Sequence, residues 1–428
     1  MEPLIFSEHE EKRLNEDDVS RLRNCRFAQV DFMKPPKYLG LNWTLSGYIK
    51  SGYYIGATWL VENERAAVVV PKMQDIDFVD MFISALSVDS DPVADYFGKC
   101  YDIDFEASRI EVPTQLCQVT PLIVLHYIKL LEDLVKHGLK CGYVNQEENL
   151  NSKIRGRVYI PAHIQHNVCS QREDRVFCRY QEYTVDIPEN RLLKRALKFS
   201  CQIVSSYKSF RHKKAELQVR LNKLNTSFAN VSEDVDASQV PRVHHNKLFR
   251  YYAEAIRVAK MILRRYDNSI TRINDETNFS PPFWIDMPRL FELYVYSKLK
   301  KVYFEQIKFQ VAGRGGKRKC DFVKTGTAES LILDAKYKPY YTGETSVNWD
   351  DIQEISGYAR DELILEKMGW TKNGEINVTD VPPCVVIYPE YENEEETFDS
   401  NYLLNKAERI DGYTNFYKVA VNVPKIGS

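Results

Sequence analysis

Two apolar runs in the last third of the chain each carry an aspartate where a buried side chain is expected. Asp321 interrupts the run 320–323, and Asp334 interrupts the run 331–335. The β-branched, aromatic and aliphatic residues of both runs predict strands. An ionised carboxylate in a buried strand is unfavourable unless it is paired or binds a metal. The two strands therefore have to lie in a packed core that brings a counter-charge or a cation to the aspartates.

A lysine stands two residues after the second aspartate. Residues two apart in a strand point to the same face, so Asp334 and Lys336 share a face, and Asp321 joins them if the two strands are neighbours. Two carboxylates about 4 Å apart repel by roughly 4 kcal/mol at an effective dielectric of about 20, and a divalent cation relieves that repulsion. Oxygen ligands favour Mg²⁺, and Mn²⁺ is an accepted substitute. The cluster predicts a site where the ion polarises a phosphate and Lys336 balances charge.

The secondary-structure pattern divides the chain into three regions and predicts a mixed fold class, α/β and α+β multidomain. Glycine-broken β-rich runs predict a β-rich N-terminal domain over 1–185. Amphipathic helices predict a helical connecting region over 186–270. Alternating helices and strands predict an α/β core over 271–428. The pattern predicts short strands within 154–183, a loop at 225–239, helices at 287–303 and 351–366, and strands at 306–311, 319–324, 331–338, 384–388 and 415–423.

Charge and cysteine content restrict the class of protein. The 428 residues carry 58 Lys and Arg against 60 Asp and Glu, so any nucleic-acid contact must come from a local basic patch. The nine cysteines include no Cys-x-x-Cys pair, which argues against zinc or iron–sulfur sites and for a reducing compartment. We expect no secretory signal and no membrane association, because no stretch approaches about 18 unbroken apolar residues. These features predict a cytoplasmic protein.

The string Leu-Ile-Leu-Asp-Ala-Lys-Tyr-Lys at 331–338 resembles the signature of the McrC and LlaJI-type restriction endonuclease subunits, members of the PD-(D/E)XK nuclease superfamily. The helical segment 286–295 is similar to the element that precedes the nuclease core in that family. The likeness spans about residues 65–360, and its most specific part is the cluster around Asp334. Other segments resembling family elements are 69–73, 154–157 and 186–194.

The resemblance implies a restriction-endonuclease-like core that cleaves double-stranded DNA in defence against foreign DNA. It implies Asp321 and Asp334 as metal ligands, Lys336 as the catalytic lysine, and Glu292 as the acidic residue that the preceding helix turns toward the site. It also implies a separate AAA+ GTPase or ATPase partner, similar to McrB, onto which the region 1–185 docks. Replacing Asp334 or Lys336 is expected to remove cleavage and leave folding nearly intact, since removing buried like charges need not destabilise.

One position departs from the family pattern. Family members carry a glutamine four residues before a tyrosine on the helix after the core strands, and here Glu354 stands four residues before Tyr358, with Gln353 beside it. Positions four apart share a helix face, whereas the neighbouring position is rotated by about 100°. Either Glu354 takes the place of the glutamine or the register slips by one residue. Glu354 is therefore counted among the candidate catalytic residues.

A glycine-rich basic loop precedes Asp321. Its cations would make salt-sensitive and mainly positional contacts with phosphates, although a solvated hairpin loop needs no function. The loop does not have the Gly-x-x-x-x-Gly-Lys-[Ser/Thr] pattern, and neither does any other segment, so nucleotide hydrolysis is expected from the partner. The candidate DNA-contacting residues are Arg314, Lys317, Arg318, Lys319 and Lys338.

Other functions are compatible with the same residues. A stand-alone RecB-like nuclease would need no motor protein. A catalytically decayed nuclease fold would serve as an assembly subunit, although intact Asp321, Asp334 and Lys336 argue against decay. A nucleic-acid-binding module could use tyrosines for base stacking, but most of the tyrosines lie in predicted core runs.

Overall fold

The computed structural model divides the chain into two compact units. The first combines Met1–Val119 with Glu276–Ser428, and the second is Thr120–Asp275. The structure describes residues 2–22, 37–45, 47–73, 75–88, 96, 98–104, 107–113, 116, 119–207, 210, 213–235, 240, 250–266, 279–316, 318–326, 330–338, 348–372, 374–377, 379–391, 403 and 406–426. Within these ranges no helix is both long and apolar enough to cross a bilayer.

In its described residues, the N-terminal part of the first unit consists mainly of short strands and two α-helices of seven or more residues. The helix over 78–86 begins where Asp77 accepts a hydrogen bond from the backbone N–H of Asp80, which satisfies one of the free donors of its first turn. The elements are β1 (Leu4–Ser7), β2 (Glu11–Arg13), α1 (Glu16–Leu22), β3 (Asn42–Leu45), β4 (Tyr48–Lys50), β5 (Tyr54–Val61), β6 (Arg65–Val70), α2 (Phe78–Leu86), β7 (Tyr101–Ile103) and β8 (Ile110–Glu111).

The second unit is mostly helical and carries one long antiparallel strand pair. Its elements are α3 (Val119–His137), β9 (Gly142–Asn151), β10 (Arg157–Val158), α4 (Ile160–His163), β11 (Arg175–Thr184), α5 (Pro188–Ser206), α6 (Lys214–Ser227) and α7 (Arg250–Tyr266). The prediction of only short strands over 154–183 is wrong, because β11 pairs with β9 along ten residues and 160–168 is helical. The predicted loop at 225–239 begins later than expected, since α6 continues to Ser227.

The C-terminal part of the first unit follows the predicted order of elements closely. The predicted helix at 351–366 is instead two helices, because Asp361 caps a new one by accepting from the N–H groups of Leu363 and Ile364. The elements are β12 (Phe279–Ser280), β13 (Phe283–Asp286), α8 (Met287–Tyr303), β14 (Ile307–Ala312), β15 (Lys319–Lys324), β16 (Leu331–Ala335), α9 (Trp349–Tyr358), α10 (Glu362–Met368), β17 (Thr371–Lys372), β18 (Glu375–Ile376), β19 (Cys384–Glu390), β20 (Glu408–Arg409) and β21 (Phe416–Asn422).

A five-stranded sheet joins the N-terminal and C-terminal parts of the first unit. Its strand order is β1-β6-β5-β13-β7, so a strand from the C-terminal part lies between two strands from the N-terminal part. Phe283 is paired with Ala57 on one side and with Ile103 on the other. The compact units therefore differ from the predicted ranges 1–185, 186–270 and 271–428. The backbone groups of β5 and β7 find their hydrogen-bond partners in a strand far along the chain, which no local pattern reports.

A six-stranded sheet of order β14-β15-β16-β19-β21-β20 forms the core of the C-terminal part. Strands β14, β15 and β16 are antiparallel, and β16, β19 and β21 run parallel. Residues Val323 and Ile332 pack with helices α9 and α10 in one hydrophobic cluster. On the opposite face, the ring of Tyr296 in α8 stacks on Phe322 at 6.1 Å between centroids. Helices on both faces bury the central strands of a mixed α/β core.

Candidate active site

The two strand aspartates come together at one end of the β15–β16 ladder. Phe322 is paired with Leu333, so the same register continued by one residue places Asp321 opposite Asp334. Asp321 is 8% exposed and Asp334 is 1% exposed. The backbone N–H of Ala335 donates to Asp321 Oδ2 at 3.0 Å. The structure thus brings the two predicted metal ligands to adjacent strands, as the sequence pattern requires.

Lys336 supplies the positive charge of this pair. Its Nζ lies 2.7 Å from Asp334 Oδ2. That oxygen is buried and receives no hydrogen bond of good geometry, so the contact is an ion pair with poor alignment. Burial alone would lower the pKa of Lys336, but the nearby carboxylates of Asp334, Asp321 and Glu354 outweigh it and raise that pKa well above its usual value.

Burial and mutual repulsion disfavour the ionised form of the Asp321 and Asp334 carboxyl groups. Burial raises the pKa of Asp321 well above its usual value, and the charges of Glu292 and Asp334 add to that rise. Burial likewise raises the pKa of Asp334, with Lys336 opposing the shift. Carboxyl groups with strongly perturbed pKa values in one cluster are characteristic of functional sites.

Helix α8 contributes Glu292, which a glutamine connects to Asp321. Gln310 Nε2 donates to Glu292 Oε2 at 3.1 Å and to Asp321 Oδ1 at 3.3 Å. The Tyr96 hydroxyl also donates to Glu292 Oε2. Burial, together with the charges of Asp334 and Asp286, raises the pKa of Glu292 to about 8. The predicted helix-borne acid therefore faces the aspartates through an amide bridge.

Gln310 and Tyr96 are site residues that the sequence did not identify. Gln310 lies in β14 and has a positive φ of 51°, which is uncommon for a residue other than glycine. Pairing of Phe309 with Phe322 and of Val311 with Cys320 places Gln310 opposite Asp321. Backbone strain of this kind is concentrated at functional sites. No sequence signal marks either residue, because each depends on a contact between separate segments.

The helix after the core strands positions Glu354 on the lysine. Lys336 Nζ donates to Glu354 Oε2 at 2.9 Å, and the Tyr358 hydroxyl donates to Glu354 Oε1 at 3.1 Å. Gln353 is exposed. Burial would raise the pKa of Glu354, but the Lys336 ammonium and the Tyr358 hydroxyl reverse the effect and lower it. The structure therefore resolves the register in favour of Glu354, which contacts Lys336, whereas Gln353 faces solvent.

The candidate DNA-contacting residues occupy two different environments. Lys338 Nζ contacts both carboxylate oxygens of the buried Asp351, at 2.7 and 2.9 Å, so it is held by protein rather than offered to solvent. Arg314, Arg318 and Lys319 are exposed on the hairpin between β14 and β15. Lys317 lies outside the described residues.

A glycine lets this hairpin approach the start of helix α10. The backbone N–H of Arg314 donates to Asp361 Oδ2 at 2.7 Å. A Cβ atom on Gly313 would lie only 2.5 Å from the same oxygen. The basic loop is thus anchored through its first residues, while the side chains of Arg314, Arg318 and Lys319 are exposed to solvent two or more residues from Asp321.

The chain also matches a known protein family. The family model described as "McrBC 5-methylcytosine restriction system component" matches residues 50–360, which is well over half of the 428 residues. The chain belongs to the McrBC family. This match confirms the resemblance noted in the sequence, and the matched range of this McrBC-family chain includes Glu292, Asp321, Asp334, Lys336 and Glu354.

Two solved assemblies contain chains similar to this McrBC-family chain. One is the refined half-complex from the tetradecameric assembly of Thermococcus gammatolerans McrB AAA+ hexamers with bound McrC. Its matching chain is 15% identical in sequence, the match covers 98% of this chain and 94% of that chain, and the TM-score is 0.41. The other is the cryo-EM structure of the Thermococcus gammatolerans McrBC complex, with 14% identity, coverage of 69% and 87%, and a TM-score of 0.29. Comparison with curated proteins gives no match. Family membership rests on the family model.

The contact between Glu354 and Lys336 leads to a first prediction. If the chain cleaves DNA as the sequence resemblance predicts, Glu354→Ala is expected to lower the cleavage rate by about 10- to 100-fold. Lys336 loses a carboxylate that it contacts, and small misplacements of a catalytic group have effects of this size. The matched control is Gln353→Ala, which removes an exposed neighbour on the same helix. Cleavage rates are measured on plasmid DNA with both variants. Equal rates for the two variants would contradict the assigned register.

Proposed function

We propose that this McrBC-family chain is the nuclease subunit of a restriction system and cleaves phosphodiester bonds in double-stranded DNA. The observation that carries the proposal is the meeting of Asp321, Asp334 and Lys336 at one end of adjacent strands. Buried carboxylates crowded around one ammonium contribute little to stability, and functional sites are where such arrangements are retained. The mixed sheet with helices on both faces is compatible with the PD-(D/E)XK core that the sequence resemblance implies.

The donor set fits a hard divalent cation. Asp321 and Asp334 present oxygen ligands, and burial raises the pKa of both, so a positive charge would relieve their repulsion. The buried Asp334 Oδ2 lacks a hydrogen-bond donor. Within the described residues no three His, Cys, Asp or Glu side chains form a complete metal site. Water and phosphate oxygens would supply the other ligands, as is usual for Mg²⁺.

The chain's own residues would orient the substrate and balance its charge. A bound Mg²⁺ would polarise the phosphate and lower the pKa of a bound water. Lys336 would place its ammonium against the scissile phosphate, where fixed positive charge stabilises a transition state. Glu354 would hold that ammonium in place, and the Gln310 amide would hold Asp321 and Glu292 in register.

A separate AAA+ NTPase is the partner that family membership favours. We place the docking surface in the region 1–185, as the resemblance implies. Within this region, Ile160, Ile164 and Val168 are exposed and lie four residues apart along one helical segment, so they share a face. Exposed apolar groups on one face are typical of protein interaction sites. Coupling to a motor distinguishes this proposal from a stand-alone nuclease.

The second prediction tests the function directly. The full chain with the AAA+ protein and its NTP is expected to cut plasmid DNA in Mg²⁺ or Mn²⁺, whereas Ca²⁺ supports binding without efficient turnover because its looser coordination positions water poorly. Cleavage is followed on gels and DNA binding by fluorescence anisotropy. Cleavage that persists in excess EDTA would exclude the metal mechanism. Equal cleavage without the partner would favour the stand-alone nuclease, and no cleavage in any combination would favour a decayed fold.

A further inference from the structure

A lysine that follows strand β6 contacts Tyr337, the residue after Lys336. Lys72 lies just after β6, and its Nζ donates to the backbone carbonyl of Tyr337 at 3.2 Å. The same ammonium lies 4.9 Å from the centroid of the Tyr337 ring and 5.5 Å from that of Tyr53. A cation within about 6 Å of aromatic faces is attracted by both rings. The Lys72 ammonium therefore contacts both the backbone carbonyl and the aromatic ring of Tyr337.

A buried glutamate completes this contact. Glu8 is 4% exposed and follows β1. Its Oε2 accepts hydrogen bonds from the backbone N–H of Lys72 at 3.0 Å and from the Tyr337 hydroxyl at 3.4 Å. We call Glu8, Tyr53, Lys72 and Tyr337 the Lys72 cluster. Glu8 follows β1, Tyr53 precedes β5, Lys72 follows β6, and Tyr337 follows β16, which lies more than 250 residues further along the chain.

The Lys72 cluster is unfavourable as a purely stabilising device. Burial raises the pKa of Glu8 to about 7 and lowers the pKa of Lys72. Glu8 Oε1 is buried without a hydrogen-bond partner. Buried charged groups add little net stability compared with apolar packing, and their best-attested contribution is to select one arrangement of the segments they join. The Lys72 cluster is therefore better explained as a device that fixes the relative positions of the segments it joins.

The segment that the cluster holds is the one that carries the proposed catalytic lysine. β16 ends at Ala335, and the backbone N–H of Lys336 donates to Ile387 O at 2.8 Å. The chain then turns tightly, with the Lys338 N–H donating to Lys336 O at 2.7 Å. Tyr337 lies inside this turn, and Lys72 donates to its carbonyl. A shift of Tyr337 would therefore move the backbone of Lys336.

We propose that Lys72 is a positioning residue of the nuclease, which fixes the turn at Tyr337 and thereby the position of the Lys336 ammonium. The inference rests on the proposed function. It makes the N-terminal five-stranded sheet part of the support of the active site, since Lys72 follows β6 and Glu8 follows β1 of that sheet.

A matched control exists in the same part of the chain. Lys12 Nζ donates to the backbone carbonyl of Ile5 at 2.9 Å and lies 5.8 Å from the centroid of the Phe6 ring. It thus makes the same two kinds of contact as Lys72, but to residues of β1 rather than to the segment after β16. Lys12→Met removes an equivalent charge and donor without touching the turn at Tyr337.

The experiment compares Lys72→Met, Lys72→Arg and Lys12→Met in the full chain with its AAA+ partner. Lys72→Met is expected to lower kcat for cleavage by about 10- to 100-fold, the range for misplaced catalytic groups, with KM for DNA within about 2-fold of wild type. Lys72→Arg keeps the charge and the aromatic contacts and is expected to recover most of the rate. Lys12→Met is expected to behave as wild type.

Each other outcome overturns the inference. A Lys72→Met chain with normal kcat and only a lower melting temperature would show a purely structural lysine, and a raised KM with normal kcat would show a DNA contact. If Lys72→Met does not fold, Tyr337→Phe removes only the hydroxyl bond to Glu8 and is expected to lower kcat by about 3- to 10-fold; an unchanged kcat would then refute the role. A wild-type chain without cleavage would overturn the proposed function as well, whereas cleavage equal to wild type in Lys72→Met would overturn only the positioning role.

Discussion

Asp334→Asn is expected to abolish DNA cleavage, with a loss of about 1,000-fold or more, and to leave the chain folded. The expected loss corresponds to about 4 kcal/mol of transition-state stabilisation, the scale on which a bound metal ion acts. Asn is nearly isosteric with Asp but carries no charge, so it weakens the metal site without opening a cavity. Cleavage of plasmid DNA is measured with the AAA+ partner and Mg²⁺ present.

The direction of the stability change in Asp334→Asn also follows from the structure. The folded chain raises the pKa of Asp334 above its value in the unfolded chain, so the ionised carboxylate is disfavoured by folding. That penalty is absent at low pH, grows as pH rises from the ordinary aspartate pKa to the raised one, and is complete above the raised pKa. Asp334→Asn removes the penalty, and Lys336 keeps the counter-charges of Glu354 and Asp321. The melting temperature of the variant in metal-free buffer at neutral pH is therefore expected to equal or exceed that of wild type.

Metal binding supplies the second measurement for Asp334→Asn. Mg²⁺ should raise the melting temperature of wild type, because a ligand that binds only the folded state stabilises it, and the rise should disappear in the variant. Asp350→Asn is the control, since it removes an exposed carboxylate at the start of helix α9. Wild-type cleavage by Asp334→Asn, or equal loss in Asp350→Asn, would contradict the assigned metal site.

Lys336→Met is expected to be as inactive as Asp334→Asn and, unlike it, to be unstable without metal. The Lys336 ammonium lies beside Asp334 and Glu354, and its charge also offsets that of Asp321. Removing one partner of a buried ion pair leaves an uncompensated charge, which typically costs about 3 kcal/mol or more. We therefore expect a loss of about 3 kcal/mol in the free energy of unfolding in EDTA, measured by urea denaturation. The expectation from charge alone, that both substitutions leave folding nearly intact, is thereby revised for the lysine.

Added Mg²⁺ is expected to restore part of the stability of Lys336→Met, because the cation takes over the neutralisation of Asp321 and Asp334. Lys338→Met is the matched control. Lys338 and Lys336 are both 17% exposed in their side chains, and each pairs with a buried aspartate, Asp351 in the case of Lys338. Lys338→Met should lose comparable stability with no recovery in Mg²⁺. Unchanged stability of Lys336→Met in EDTA, or equal recovery of both variants, would contradict the charge arrangement.

The five-stranded sheet β1-β6-β5-β13-β7 also supports the candidate active site. Strand β13, which leads directly into α8 and Glu292, is hydrogen-bonded between β5 and β7. Lys72, which follows β6 of the same sheet, contacts the turn after β16. The N-terminal part of the first unit is therefore connected to both Glu292 and Lys336 through strand pairing and side-chain contacts.

Elements with local sequence signals could be predicted from the residues alone. Helix α8 has the predicted bounds because Asp286 caps its first turn and Pro288 is tolerated there. Strand β15 also has the predicted bounds. The grouping of Asp321, Asp334 and Lys336 followed from strand periodicity, since a charge in an apolar strand needs a partner on the same face. The match of the McrBC family model over residues 50–360 agrees with these motifs.

The contacts between distant segments could not be predicted from the sequence and became visible in the folded chain. Tyr96 and Glu292 are 196 residues apart, and Lys72 and Tyr337 are 265 residues apart, yet both pairs form hydrogen bonds at or beside the site. Strand β13 pairs with strands more than 150 residues earlier in the chain. Periodicity and capping report only what a residue meets within its own helix or strand, whereas these partners are selected by packing of whole elements once the sheets have formed.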